Sequence, residues 1–286
     1  MSDAPTAPEL RDIEQMAVEL ASIAGAEIVT ALGGILSVRY KTGAVDDTDE
    51  LKWRDPVSDV DHKVETMIRA RLAESFPGHD VIGEEMSERP GRDHDFVWAV
   101  DPIDGTSNFI NGFPIFAASI GVLHRGRPVV GAIWCSISHA LRAGVYHACA
   151  GGKLRFGGAD VTPKTNPAVR RQLVGVPAAG KEDAFWDTRK TGSAAAECAM
   201  VAAGLLQAAR FASPNIWDVA AGLALVDAAG GVARRHDGEN WTPMQLFEPG
   251  ETSGGLSDLR FWRGEIVLGN KEAVEQMCAL RAVIQS

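Results

Sequence analysis

Apolar and polar positions recur along this chain with two different periods. Over residues 9–32, Ile13, Met16, Ala17, Leu20, Ile23, Ala24 and Ile28 return every three or four positions, which predicts an amphipathic helix ended by Gly33-Gly34. Residues 35–40 and 51–53 predict two short strands on either side of an acidic, turn-rich loop at 42–50. That loop is assigned no chemistry, because nothing places its carboxylates on a rigid element. A second amphipathic helix carries Val64, Met67, Ile68, Leu72 and Phe76 on one face, with Ser58 or Asp59 as its N-cap. After Pro77-Gly78 comes a short strand over 80–85 that contains Gly83-Glu84-Glu85. Next is Phe96-Val97-Trp98-Ala99-Val100, an unbroken apolar run of the kind that forms a buried strand.

Further along, 117–123 and 129–136 read as strands joined by the turn His124-Arg125-Gly126-Arg127-Pro128, and 141–146 as another. Gly151-Gly152 is the predicted join between an N-terminal α+β half, 1–150, and a C-terminal α/β half, 151–286. The second half is predicted to open with strands at 161–167 and 173–176, followed by an Ala-rich helix reaching about Ala208. Asp218 opens the next helix, Gly230-Gly231 closes it, and a strand at 265–268 precedes a terminal helix. Helices alternating with two groups of strands predict a layered α/β or α+β protein.

Composition narrows the classes. A chain of 286 residues with 45% hydrophobic content can bury a sizeable core, which sets disorder aside. The formal net charge of −10, with no block of Lys or Arg, argues against a nucleic acid or an anionic membrane as the main partner. Cys135, Cys149, Cys198 and Cys278 lack C-x-x-C spacing, which suits buried, reduced thiols in a cytoplasmic protein. No export signal or membrane span is expected.

The chemistry concentrates at Asp101-Pro102-Ile103-Asp104-Gly105-Thr106-Ser107-Asn108-Phe109. Asp101 and Asp104 would emerge together at the carboxyl end of the preceding strand, where open α/β sheets place ligands. Pro102 biases Asp101 away from helix, and Gly105 allows a sharp turn before Thr106 and Ser107 open a helix with free N–H groups suited to a phosphate. Carboxylates beside a phosphate repel it unless a hard divalent cation intervenes, and oxygen ligands of this kind point to Mg²⁺ or Mn²⁺. Taken alone, D-x-x-D-G-T is equally an Asx-type turn capping local backbone groups. Asp61 near a helix start and the Glu84-Glu85 pair likewise have plain readings, as dipole-favoured and surface carboxylates respectively.

Taken together the stretches are more specific. Asp55-Pro56-Val57-Ser58-Asp59-Val60-Asp61, Gly83-Glu84-Glu85, Asp101 to Phe109, and Trp217-Asp218-Val219-Ala220-Ala221-Gly222 follow one another as D-x-V-[ST]-x-x-D, G-E-E, D-P-x-D-G-T-x-N-F and W-D-x-A-A-G. This ordered set resembles that of the inositol monophosphatase family nearly end to end. The resemblance implies a layered αβαβα sandwich of the sugar-phosphatase type. It also implies that Glu84, Asp101, Asp104, Asp218 and the Ile103 carbonyl supply the metal-site oxygens, with Asp61 contributing through water or a further ion. Two or three Mg²⁺ ions are implied, with Mn²⁺ as a substitute and Li⁺ as an inhibitor. Thr106, paired with Asp61, would polarise the attacking water for in-line displacement, and Glu84 joins them as a catalytic group. The Gly105 and Thr106 N–H groups would hold the phosphate. Arg189 to Ala195 resembles the family's substrate-facing R-x-x-G-[ST]-A segment, which makes Arg189, Gly192, Ser193 and Ala194 candidate substrate contacts.

Family members acting on inositol phosphates generally carry an acidic residue a few positions before W-D, whereas the matching position here is Phe211. A substrate hydroxyl left without that acceptor would cost roughly 1–3 kcal/mol. An inositol 1-phosphate-like monoester therefore stands beside histidinol phosphate, a sugar bisphosphate and a 3′-phosphoadenosine nucleotide. Arg189 and Arg210 are candidates for an anionic tail and equally plain surface or structural charges. The rival class is a catalytically idle relative that regulates RNA polymerase or another protein. A homodimer is implied by the resemblance alone.

Overall fold

The computed structural model describes residues 4–32, 34, 38–40, 56–87, 94–162, 172–178, 185–251 and 257–284. The chain begins with α1 (Ala7–Ala31), β1 (Val38–Tyr40), β2 (Pro56–Ser58), α2 (Asp59–Ser75), β3 (Asp80–Gly83), β4 (Phe96–Asp104) and the short α3 (Thr106–Ile110). There follow β5 (Ala117–His124), β6 (Arg127–Cys135), β7 (Gly144–Cys149), β8 (Arg155–Phe156) and β9 (Ala159–Asp160). Then come β10 (Leu173–Gly175), β11 (Asp187–Arg189), α4 (Ala194–Ala202), β12 (Ala208–Phe211), α5 (Ile216–Ala228), β13 (Val232–His236) and β14 (Trp241–Pro243). The chain closes with β15 (Gly250–Glu251), β16 (Ser257–Asp258), β17 (Glu265–Gly269) and α6 (Lys271–Ile284).

Among the described residues, two large sheets dominate: one ordered β3-β4-β5-β6-β7-β8-β9, the other β11-β10-β12-β17-β13-β14. β3 runs parallel to β4 and the rest of the first sheet is antiparallel. In the second sheet β10 runs parallel to both β11 and β12, and the remaining pairs are antiparallel. Three apolar layers separate the elements. α1 and α2 bury Leu10, Ile13, Leu20, Val64 and Ile68 against one face of the first sheet, at Trp98, Ile120 and Ala132. α4 and α5 fill the space between the sheets, and α6 covers the far face of the second at Val174 and Val267. This is the αβαβα sandwich that the resemblance implies.

Local sequence explains the pieces that position the site. A capping box starts α1, with the Thr6 hydroxyl accepting from the Glu9 N–H and Glu9 accepting from the Thr6 N–H. α5 is apolar almost all round because both sides are covered. It lies so close to the first sheet that a Cβ on Gly121 or Gly131 would come 2.6 or 2.3 Å from backbone atoms of Ala221. Glycine at these two positions lets the helix carrying Asp218 descend onto the strands.

Several boundaries differ from the pattern reading. The strand predicted over 141–146 starts at Gly144, where pairing with Cys135 begins, and Leu141 is exposed in a turn with φ +55°. The Ala-rich helix ends at Ala202 instead of near Ala208: Gly204 adopts φ +74°, and residues 208–211 are drawn into β12 by pairing with β17. β8 and β9 extend the first sheet to Asp160, past Gly151-Gly152. β1 pairs with β2; the predicted strand at 51–53, the loop at 42–50 and most of the predicted strand at 161–167 lie outside the described residues. Among the described residues no helix is long and apolar enough to cross a membrane. Cys135, Cys149 and Cys198 are buried free thiols, and desolvation holds all three in the protonated form.

Candidate active site

β4 continues through Pro102 to Asp104, with an irregularity between Asp101, opposite Ser119, and Asp104, opposite Ala117. This bulge turns both carboxylates toward the space between the sheets. Gly105 then adopts φ +87°, which an L side chain resists, and a Cβ there would meet the Gly192 carbonyl at 3.1 Å. The turn therefore brings α3 against the 191–193 segment of the second half. Asn108 fastens that junction, donating to the carbonyls of Ile115 at 2.6 Å and Thr191 at 2.8 Å.

Asp104 on β4, Asp218 on α5 and Asp61 on α2 each have one oxygen held by protein donors. The Ser193 hydroxyl donates to Asp104 Oδ2 at 2.5 Å and the Ala195 N–H to the same oxygen at 2.6 Å. On α5 the Asn215 N–H donates to Asp218 Oδ2 at 2.7 Å. On α2 the Ser58 N–H and hydroxyl donate to Asp61 Oδ2 at 2.8 and 2.5 Å. Asp101 is the exception, because its Oδ1 is fully buried with no hydrogen-bond partner.

Electrostatics place the carboxylates in one cluster. Burial, and then the charges of Glu84, Asp104 and Asp218, push Asp101 well above the usual carboxylate range. Burial, and then Asp104 and Glu84, do the same to Asp218, with the Arg263 charge opposing. Asp104 is raised to about 6 by burial and by Glu84, against the pull of its Ser193 and Ala195 donors. Asp61 is raised to about 6, again by burial, and Glu84 adds to it. These shifts mean that burial and mutual repulsion disfavour having all of these carboxylates ionised together in the absence of a compensating cation.

The donor set fits a hard divalent cation: every candidate ligand is oxygen, and the orphaned Asp101 Oδ1 lacks the partner that a buried charge requires. Among the described residues no three His, Cys, Asp or Glu side chains close into a finished cage.

Thr106 sits between two acceptors. Its hydroxyl reaches the Ile103 carbonyl at 2.8 Å and Asp61 Oδ1 at 3.2 Å, and its single hydrogen serves one of them at a time. Gly192 is exposed, Ser193 is committed to Asp104 as the N-cap of α4, and Arg189 is exposed on β11, bonded to the Thr188 carbonyl. Arg210 pairs with Glu265 at 3.7 Å across β12 and β17. Phe211 is buried in the layer between the sheets. Asp55 lies outside the described residues.

Pattern reading assigned no role to several residues that shape this site. Glu65 accepts the Glu85 and Met86 N–H groups at 2.8 and 3.2 Å, and its only sequence signal was a carboxylate one turn after Asp61 on the apolar face of α2. Glu197 accepts from the Thr191 N–H and hydroxyl at 3.1 and 2.7 Å. Arg260 donates to the carbonyls of Met86 and Glu84 from far along the chain, and no local pattern signals it.

Comparison with known proteins identifies the family. The model of the inositol monophosphatase family matches residues 9–256. The chain belongs to that family of phosphatases. It is 32% identical over 223 residues to a fructose-1,6-bisphosphatase/inositol-1-monophosphatase of Aquifex aeolicus, covering 72% of this chain and 83% of the relative. It is 30% identical over 262 residues to the Nus factor SuhB of Escherichia coli K12, covering 86% of this chain and 90% of that protein. Among solved structures, the extragenic suppressor protein suhB of Bartonella henselae superposes with a TM-score of 0.70 at 25% identity, over 93% of this chain and 96% of that one.

Proposed function

We propose that this phosphatase hydrolyses a small phosphate monoester in a Mg²⁺-dependent reaction. The observation that carries the reading is the buried, partnerless Asp101 Oδ1 beside Glu84, Asp104 and Asp218. When bound, two or three Mg²⁺ ions, or Mn²⁺ in their place, would offset the phosphate charge and lower the pKa of a coordinated water. Glu84, Asp101, Asp104, Asp218 and the Ile103 carbonyl are the proposed ligands. If the Ile103 carbonyl is given to a cation, the Thr106 hydrogen passes to Asp61, and the Thr106 oxygen is left as an acceptor aimed at the attacking water. First-turn N–H groups of α3, at Gly105 and Thr106, have no partner inside the helix and suit the phosphate oxygens. Gly192, Ser193 and Ala194 are the proposed substrate contacts, and Arg189 is the candidate for a charged substrate tail.

An inositol 1-phosphate-like ester is the reference substrate. Phe211, however, presents a core side chain where an acidic polyol anchor is expected, which favours histidinol phosphate, a sugar bisphosphate or a 3′-phosphoadenosine nucleotide as alternatives. The test is phosphate release from inositol 1-phosphate, histidinol phosphate, fructose 1,6-bisphosphate and 3′-phosphoadenosine 5′-phosphate, with Mg²⁺ and with chelator. One Mg²⁺-dependent winner is expected, and Li⁺ should inhibit it; no release from any would end the reading as stated. Similarity to a protein named a Nus factor favours a second reading, a regulatory protein contact, which could coexist with hydrolysis. A homodimer in the cytoplasm is proposed with it, and a monomeric mass in solution would refute the dimer.

A further inference from the structure

The segment that carries Glu84 has no regular structure: β3 ends at Gly83, and residues 84–87 follow as an irregular turn. The Glu84 N–H donates to the Val100 carbonyl at 3.2 Å, and beyond that side chains of three residues bond the backbone of this segment. Buried Glu65 accepts the N–H groups of Glu85 and Met86. Arg69, one turn along α2, donates to Glu65 at 2.8 Å and to the Met86 carbonyl at 3.1 Å. The third comes from the other end of the chain: Arg260 Nη1 donates to the Met86 carbonyl at 2.7 Å, and Nη2 reaches the Glu84 carbonyl at 3.4 Å.

The same guanidinium lies 5.4 Å from the centre of the Trp217 ring, and Trp217 immediately precedes Asp218. Its own position is set in turn, because Asp258 Oδ1 accepts the Arg260 N–H at 2.8 Å at the start of a 3₁₀ turn, Leu259–Phe261. One planar cation thus grips the Glu84 segment with its edge and faces the start of α5. Lysine offers neither the fork nor the flat face.

We propose that Arg260 is a positioning residue that sets the spacing between Glu84 and Asp218, and through it the affinity for the divalent cation. The inference rests on the reading of the carboxylate cluster as a Mg²⁺ site. Two effects of removing Arg260 oppose each other. Loss of a nearby positive charge would tighten cation binding, whereas release of the Glu84 segment would weaken it. Partners that orient ligands typically matter by 10–100-fold, so geometry should win.

The test compares wild type, Arg260→Ala and Arg260→Lys by calorimetric titration with Mg²⁺, by amide exchange of residues 84–87 in metal-free protein, and by kinetics at varied Mg²⁺. Both variants should bind Mg²⁺ about ten-fold or more weakly, exchange faster at 84–87, and recover most of kcat at saturating Mg²⁺. Arg260→Lys keeps the charge, so weakened binding there isolates geometry and keeps the test decisive if Arg260→Ala does not fold. Binding by Arg260→Lys within two-fold of wild type, or tighter binding by Arg260→Ala, would overturn the proposal. A wild type that binds no Mg²⁺ would instead refute the metal-site reading beneath it.

Discussion

At the scale of single residues, the site sets function against stability. Asp104 is buried beside Glu84 and Asp218 and is raised to about 6, so at neutral pH its ionised form is held against an unfavourable field. Asp104→Asn keeps an oxygen that can accept from Ser193 and Ala195 but removes the charge. Its Mg²⁺-dependent rate should fall about 100-fold, while the metal-free protein should resist urea better than wild type at pH 7. Activity and metal-free stability moving in opposite directions is the signature of a ligand; a parallel loss of both would mark Asp104 as merely structural. Glu197 gives a second titration. Burial first, and then the Asp104 charge, raise it from 4.5 to about 7. The folded state therefore holds a proton that the unfolded chain has released. Its contribution is intact below about pH 4.5, is lost as pH rises through about 7, and changes no further above that. Glu197→Gln should flatten the stability profile between those limits, which urea midpoints at successive pH values would reveal.

At the scale of elements, the close seat of α5 on the first sheet converts packing into ligand position. A Cβ at Gly131 would come 2.3 Å from the Ala221 carbonyl oxygen, a backbone atom that cannot rotate away. Gly131→Ala should cost about 1–3 kcal/mol by overpacking. It should also weaken Mg²⁺ binding, because α5 must shift and Asp218 moves with it; unchanged Mg²⁺ affinity in the folded variant would separate the seat from the site. Elements whose period and punctuation agreed were legible from sequence. α1 shows its apolar stripe, Gly230 ends α5 with φ +80°, and the Arg125-Gly126 turn joins β5 to β6. Misreadings arose where tertiary pairing overrode local preference: Ala208 and Ala209 favour helix but are needed beside β17, and Leu141 continued an apolar run that the sheet had not yet begun to use.

At the scale of the whole molecule, the candidate ligands were legible because each sits in a dense local motif, although the motifs lie far apart in sequence. The supports were not, since Arg260 meets Met86 across 174 positions and Asn108 meets Thr191 across 83, and a linear pattern carries no record of such contacts. The assembled site makes one prediction that tests cluster and fold together. Ligands drawn from α2, the turn after β3, β4 and α5 exist as a site only in the folded chain, so a cation bound there stabilises the fold by mass action, about 2.7 kcal/mol at a concentration 100 times its dissociation constant. Protons compete for the same oxygens. Burial raises Asp61 and Asp104 to about 6, and Asp101 and Asp218 are pushed above ordinary carboxylates. At a fixed Mg²⁺ concentration, the rise in unfolding temperature over chelated protein should therefore be large at pH 8 and shrink toward pH 5. An equal Mg²⁺ shift at both values would place the ion on some group that does not titrate in this range, away from the buried carboxylates.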